Sequence, residues 1–229
     1  MAPHEQAYGE VFLVNKPYRW TSFDVVKKLR NALKVKKIGH AGTLDPLATG
    51  LLIICAGKET KNIEHYQAQE KEYEGSFVLG KTTDSYDLEQ EIRDVSDPSF
   101  LTETAIIQAA QSLTGDILQV PPAHSAIKKD GKRVYESARK GITVHLDARP
   151  VTVNSFVITK ICLPEIQFHI RCSKGTYIRS LARDIGELLG VGAYLSALKR
   201  TAIGDFRLEN AWELDDLIDK IYKKRNEDL

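Results

Sequence analysis

The order of apolar and polar positions along the chain reads as strands and helices intermixed without strict alternation. Residues 10–14 (Glu-Val-Phe-Leu-Val) read as a first strand, ending in the turn Asn15-Lys16-Pro17. Thr21 then opens a helix, with Asp24 three residues on to complete a capping box and Val25, Val26, Leu29 and Leu33 as the apolar stripe. Residues 39–50 carry three glycines and no periodic apolar face, so a loop is expected there, followed by a buried strand at 51–56 (Leu-Leu-Ile-Ile-Cys-Ala). Another strand is expected at 73–79, then a polar acidic loop to about residue 97. Thr102 caps a helix showing Ala105, Ile106, Ala109, Ala110 and Leu113 on one face, stopped by Gly115. Residues 151–162 and 166–172 read as a long hairpin, 176–189 as a helix ending before Gly190, and 202–208 as a last strand before a terminal helix at about 211–224. Such an order predicts an α+β, mixed α/β fold whose mixed, largely antiparallel central sheet is flanked by helices. The basic, poorly periodic stretch 121–150 reads as an excursion from that sheet.

A chain of 229 residues is long enough for one sizeable core without a disulfide staple, and one catalytic-size domain over 1–229 is expected. No apolar run exceeds six residues, far short of the roughly 18 that a membrane span needs. Cys55, Cys162 and Cys172 are odd in number and show no CxxC spacing, and the first ten residues lack the pattern of a signal peptide, so a reduced, cytoplasmic chain is expected. The net charge is only +1, yet the charges are segregated. Residues 25–44 hold six Lys/Arg and no acid, 128–140 hold six against two acids, and 171–183 hold four against none, while 84–103 hold seven acids against Arg93. Each basic run alone reads as a solvated helix face; together they can make one phosphate-attracting face.

Several familiar motifs fail on their context. Gly75-Ser-Phe-Val-Leu-Gly80-Lys81-Thr82 satisfies the Walker A letters, but Phe77, Val78 and Leu79 belong to a strand core and no helix opens after it. His4-Glu5 begins HExxH without its second histidine, the remaining histidines lack ligand spacing, and no GxSxG elbow occurs. No metal and no cofactor is expected.

Gly39-His40-Ala41-Gly42-Thr43-Leu44-Asp45-Pro46-Leu47-Ala48-Thr49-Gly50 differs in kind. Its glycines let backbone approach a ligand closely, and Pro46 pushes Asp45 away from helical dihedrals, so the carboxylate projects from extended chain. A lone loop aspartate also serves a turn or cap, and the segment itself leaves both open. This segment resembles the catalytic signature of TruB-type tRNA pseudouridine synthases. The resemblance continues, in family order, at Asn15-Lys16-Pro17, at Lys71-Glu72-Tyr73, at 79–87 (LGKTTDSYD), at 120–128 (VPPAHSAIK) and at 173–186 (SKGTYIRSLARDIG). It spans residues 10 to about 208. Ser85, His124 and Gln90 depart from the family pattern outside its catalytic set. Many relatives add a C-terminal RNA-binding (PUA) domain, for which residues 211–229 leave room for one helix only.

The resemblance implies that Asp45 is the catalytic carboxylate, that Arg179 pairs with it, and that Tyr73 packs on the target base. It implies further that Tyr177 and Leu198 line the pocket, that His40 contacts RNA, and that Lys16 touches RNA or the active site. The stretch at about 124–150 would be an RNA-pinching thumb insertion. The implied reaction converts the T-loop uridine at tRNA position 55 to pseudouridine after base flipping, with tRNA as partner, no membrane, and the chain acting as a monomer. A carboxylate suits that chemistry because it can attack the sugar carbon or steady oxocarbenium character, and a permanent guanidinium keeps it ionised. Attack on the base uses the same carboxylate. The reading from another class is a tRNA-folding, RNA-binding protein whose catalysis is incidental.

Overall fold

The structure, a computed structural model, describes residues 9–122, 128–129, 132–133 and 146–227. Its chain forms two compact units, one from Met1–Glu72 with Lys199–Leu229 and one from Tyr73–Leu198. In chain order the first unit contributes β1 (Glu10–Lys16), α1 (Ser22–Leu33), β2 (Ile38–Ala41), β3 (Thr49–Ala56), a 3-10 turn (Gly57–Asn62) and α2 (Ile63–Ala68). The strand β4 (Lys71–Leu79) leads into the second unit, with β5 (Lys81–Thr82), β6 (Arg93–Asp94), α3 (Glu103–Ser112) and β7 (Gly115–Gln119). Next come the short strands β8 (Lys128–Lys129) and β9 (Lys132–Arg133), the hairpin β10 (Arg149–Cys162) and β11 (Glu165–Cys172), and α4 (Ile178–Leu188). The strand β12 (Ala193–Ile203) returns the chain to the first unit, which ends with β13 (Phe206–Arg207), β14 (Trp212–Glu213) and α5 (Leu214–Glu227).

In the first unit the sheet order is β14-β1-β3-β12, with β2 also on β3 and β13 on β12; in the second it is β12-β4-β11-β10-β7. Pairing is antiparallel except for β1 with β14 and β3 with β12 among the registers resolved. The mixed, mostly antiparallel central sheet flanked by helices is as expected. β3 explains its own apolar run, because both of its faces are covered. Leu52, Ile54 and Ala56 join Val25, Val26 and Leu29 of α1 and Leu214, Leu217 and Ile218 of α5. Leu51, Ile53 and Cys55 join Ala41 and Ile203 on the opposite side. In the second unit Phe77, Phe156 and Phe168 pack on one another, the closest pair with ring centroids 4.3 Å apart.

Local chemistry sets the helix ends. Thr21 accepts from the Asp24 N–H while the Asp24 carboxylate accepts from the Thr21 N–H, the expected capping box. Thr102 caps α3 through the Ala105 N–H. Three elements differ from the sequence reading. The expected loop at 39–50 begins as strand, because β2 pairs with β3 through Gly39↔Cys55 and His40↔Ile54. The last strand is far longer than 202–208, since β12 starts at Ala193 and turns at Gly204-Asp205 into β13. The terminal helix begins at Leu214 because Trp212 and Glu213 are extended against Val14 and Asn15. Of the expected thumb at about 124–150, the described part is the antiparallel pair Lys128–Lys129 with Lys132–Arg133 and the chain from residue 146; the rest, His124 included, lies outside the described residues. The Walker A letters at 75–82 run through β4 and β5, with no helix following, as their strand-like core requires.

Candidate active site

Asp45 sits half-buried in the first unit, in the loop between β2 and β3. The main chain on both sides of it is pinned by side chains distant in sequence. The Arg200 guanidinium donates to the carbonyls of Leu51 (Nε, 2.7 Å), Gly42 (Nη2, 3.0 Å) and Thr43 (Nη1, 3.4 Å). Ser22, the first residue of α1, donates its hydroxyl to the Leu44 carbonyl (3.1 Å) and accepts the Leu44 N–H (2.9 Å). On the far side of Asp45, Lys16 Nζ donates to the carbonyls of Pro17 (2.9 Å), Trp20 (2.5 Å) and Pro46 (3.3 Å). The Arg19 N–H also donates to Pro46, and the turn closes with Ala48 N–H to Asp45 C=O (3.1 Å). Residues 42, 43, 44 and 46 are thus each anchored, which fixes where the backbone of Asp45 stands. Arg200 is 1% exposed and Lys16 0%, so both cations satisfy main-chain oxygens from inside the fold.

Burial drives the Lys16 ammonium down from the ordinary lysine value to about 8, with Arg200 pushing the same way and the Asp45 and Asp24 carboxylates opposing. Between that value and about 10.5 the unfolded chain holds more of this proton than the folded one, so the site's contribution to stability rises with pH across the window. The advantage of wild type over Lys16→Met is therefore expected to grow by about 2–3 kcal/mol between pH 7.5 and pH 10.5, read by urea unfolding at both. A constant difference would mean that Lys16 titrates normally. His40, opposite Ile54 in β2, has its pKa lowered by burial and by Arg200, against a hydrogen bond with the Gly42 main chain. Near pH 7 its imidazole is neutral, and its buried Nδ1 has no hydrogen-bond partner among the described residues.

The second unit holds Tyr73, Tyr177, Arg179 and Leu198. Tyr73 lies on β4 and is 8% exposed. Tyr177 stands at the N-cap of α4, half-buried, with both of its main-chain groups taken by the Gln119 side chain: the Tyr177 N–H donates to Oε1 (2.8 Å) and Nε2 donates to the Tyr177 carbonyl (3.2 Å). Gln119 is itself 1% exposed, so this amide locks the start of the helix from the end of β7. Arg179, the second residue of α4, is buried, with Nε 3.5 Å from Asp87 Oδ2 and Nη1 donating to the Ser85 carbonyl (3.3 Å). The loop 83–87 is built around that carboxylate. Asp87 accepts from the Ser85 hydroxyl (2.5 Å) and the Glu89 N–H (2.9 Å), while Thr83 Oγ1 bonds the Asp87 main chain in both directions. Leu198 lies on β12, half-buried.

Asp87, Ser85, Gln119, Arg200 and Ser22 were not singled out as site residues from sequence. Lys16 could have been placed inside by the two-residue alternation with Val14 along β1, and Arg200 by the same alternation with Ala202 on β12. Asp87 looked like one of seven acids in a solvated loop. Removing it leaves the Arg179 cation buried without this partner, so Asp87→Ala is expected to cost about 3 kcal/mol, a fall of roughly 6–12 °C in Tm. A shift under 2 °C in calorimetry would show that the pair does not hold this loop.

Comparison with known proteins follows the same residues. The profile of the TruB family pseudouridylate synthase N-terminal domain matches residues 30–178, and that of the tRNA pseudouridylate synthase B C-terminal domain matches 179–229. The tRNA pseudouridine synthase B of Flavobacterium johnsoniae is 50% identical over 221 residues, covering 93% of this chain and 96% of that one. The chain belongs to the TruB family of pseudouridylate synthases.

Other family members agree over nearly the full length. The tRNA pseudouridine synthase B of Parabacteroides distasonis is 46% identical, covering 96% of this chain and 97% of its own. Among solved structures, a Cbf5–Nop10–Gar1 complex contains a chain 30% identical with a TM-score of 0.76, and an H/ACA RNP bound to a substrate RNA containing 2′-deoxyuridine one 29% identical with a TM-score of 0.72. This TruB-family chain covers 57% and 55% of those two longer chains. The junction of the two family profiles falls between Ile178 and Arg179, inside the first turn of α4, so it is not a linker in this fold.

Proposed function

We propose that the chain isomerises the T-loop uridine at position 55 of tRNA to pseudouridine, with Asp45 as the catalytic carboxylate. The observation that carries this reading is the near-50% identity to curated tRNA pseudouridine synthase B chains over more than nine-tenths of both. The pinned loop supports Asp45 in that role, because a carboxylate that must meet one atom of a nucleotide gains from a backbone held in advance.

The reaction breaks the N1–C1′ glycosidic bond, turns the base, forms a C5–C1′ bond, and moves a proton from C5 to N1, so nothing is gained or lost overall. Asp45 acts at the sugar carbon or at the base while the glycosidic bond is broken. The nucleotide must leave its stack to be reached, and Tyr73 offers a face on which a flipped base can lie. Tyr177, held by Gln119, and Leu198 complete the walls around that base. Arg179 supplies a permanent positive charge as the partner of the Asp45 carboxylate. His40, neutral near pH 7, contacts RNA by hydrogen bonding rather than by charge. Lys16 serves the active site by holding the Pro46 carbonyl next to Asp45. The T-arm is the recognised part of the tRNA, and the chain works as a cytoplasmic monomer.

The test is isomerisation of an unmodified tRNA transcript by wild type and by Asp45→Ala, with carbodiimide treatment and reverse transcription to locate the product. A stop at the T-loop uridine with wild type alone is expected. Binding without product by the wild type would overturn the enzyme reading in favour of RNA folding.

A further inference from the structure

Next to the Asp45 loop, within the same unit, lies a cleft of about 380 Å³ walled by Arg19, Trp20, Asp24, Lys27, Lys28 and Asn31. Arg19 and Trp20 touch the anchors of the Asp45 loop through their main chain, which leaves their side chains to the cleft. Helix α1 turns Val25, Val26, Leu29 and Ala32 into the core, so residues 24, 27, 28 and 31, three and four apart, form the opposite face. Three of the six lining side chains are cations. The single acid, Asp24, is occupied: its carboxylate accepts from both the Thr21 N–H (2.9 Å) and the Thr21 hydroxyl (2.5 Å), and those bonds hold its pKa below the usual value. Three cations against one carboxylate leave the lining net positive, and the helix end beside it is already capped.

The surroundings point to a polyanion with aromatic faces of its own. Tyr18 and Phe23 are 49% and 60% exposed beside the cleft in sequence, and the Arg19 guanidinium lies over the Tyr18 ring at 5.6 Å. Arg19 is one of few non-glycine residues in left-handed backbone, at φ 65°, and its N–H is tied to the Pro46 carbonyl at 2.8 Å. The rim of the cleft is thereby fixed one residue from Asp45. Lys34, Lys36 and Lys37 continue the positive charge, and no acid occurs from 25 to 44.

We propose that this cleft takes the sugar–phosphate backbone of the substrate RNA, on the strand running next to the reacting nucleotide. Lys27, Lys28 and Arg19 meet phosphate oxygens, Asn31 donates alongside them, and Tyr18 and Phe23 supply stacking faces for unpaired bases. The contact carries no base identity; it sets register and affinity. It rests on the tRNA reading above, and its test separates the two.

The chain contains two tryptophans, so Trp212→Phe leaves Trp20 as the only indole, inside the cleft. Titrating that variant with an unmodified tRNA transcript is expected to change Trp20 emission saturably, with an apparent affinity that falls steeply with salt. Lys27→Glu/Lys28→Glu is expected to raise KM for tRNA about tenfold with kcat retained, and to flatten the slope of log affinity against log salt by about 2. Lys58→Glu/Lys61→Glu, an equal change of charge outside the cleft, is the control and is expected to leave KM within about twofold. Equal KM shifts from both pairs, or silent Trp20 emission while tRNA is turned over, overturn the cleft. Loss of the tRNA reading shows differently, as wild type that makes no pseudouridine on any transcript.

Discussion

Asp45→Asn is expected to lower kcat for uridine isomerisation by about a thousandfold or more and to leave the Kd for tRNA within about threefold. The size of the first effect is that of removing a group proposed to act in the reaction itself. The second follows from how the loop is held. Its anchors are the carbonyls of Gly42, Thr43, Leu44 and Pro46 and the N–H of Leu44, and the turn closes on the Asp45 main-chain carbonyl. The amide has nearly the same shape as the carboxylate and disturbs none of those. Single-turnover kinetics with a fluorescence titration of RNA binding separate the two quantities. The substitution has a second, independent signature. The Asp45 charge raises the pKa of Lys16 against burial, so Lys16 in the Asn variant titrates below its wild-type value of about 8. A variant that keeps more than a tenth of wild-type kcat would remove Asp45 from the chemistry.

Gly50→Ala is expected to be the most damaging single-methyl change in the first unit, costing about 3–5 kcal/mol. Gly50 has φ 101°, where an L side chain is strained, and it pairs in register with Arg200 across β3 and β12. A Cβ there would stand 2.3 Å from the Arg200 carbonyl oxygen and 2.6 Å from its nitrogen, both backbone atoms. Relief requires the two strands to separate. That displaces the residue whose guanidinium holds Gly42 and Thr43, so activity falls together with stability. For a chain of this size the loss corresponds to a drop of roughly 6–20 °C in Tm. Calorimetry showing less than 2 °C would mean that β12 can move away from β3 freely.

What could be read before the fold was known divides along physical lines. Helix starts were legible where a short side chain answers a main-chain N–H locally, as at Thr21 and Thr102. The buried strand at 51–56 was legible because both of its faces are covered and every position is apolar. The failure of the Walker A letters was legible because Phe77 and Leu79 are core strand residues, each 0% exposed. Harder to see were roles created by long-range closure. Lys16 and Arg200 look like surface cations until pairing of β1 and β12 with β3 turns them inward. The strand at 193–201 was missed because Ala, Leu, Lys and Arg there alternate poorly: Ala197 and Lys199 face outward while Ser196 and Leu198 are only half-buried. Asp87 is hidden in an acidic run whose other members are mostly exposed. The local motif thus drew attention to Asp45, while the supports that hold its loop depend on strand register.

The Arg200 anchor also dictates when the Asp45 loop acquires all of its ties. Its guanidinium closes on the Leu51 carbonyl 149 positions earlier in the chain. On a ribosome adding about 5–20 residues per second, roughly 7–30 s pass between the emergence of those two partners. Throughout that interval the Asp45 loop lacks the ties at Gly42 and Thr43, whatever the N-terminal residues have already folded. A nascent chain therefore passes through that interval with the loop held by Ser22, Lys16 and Arg19, which have all emerged before it.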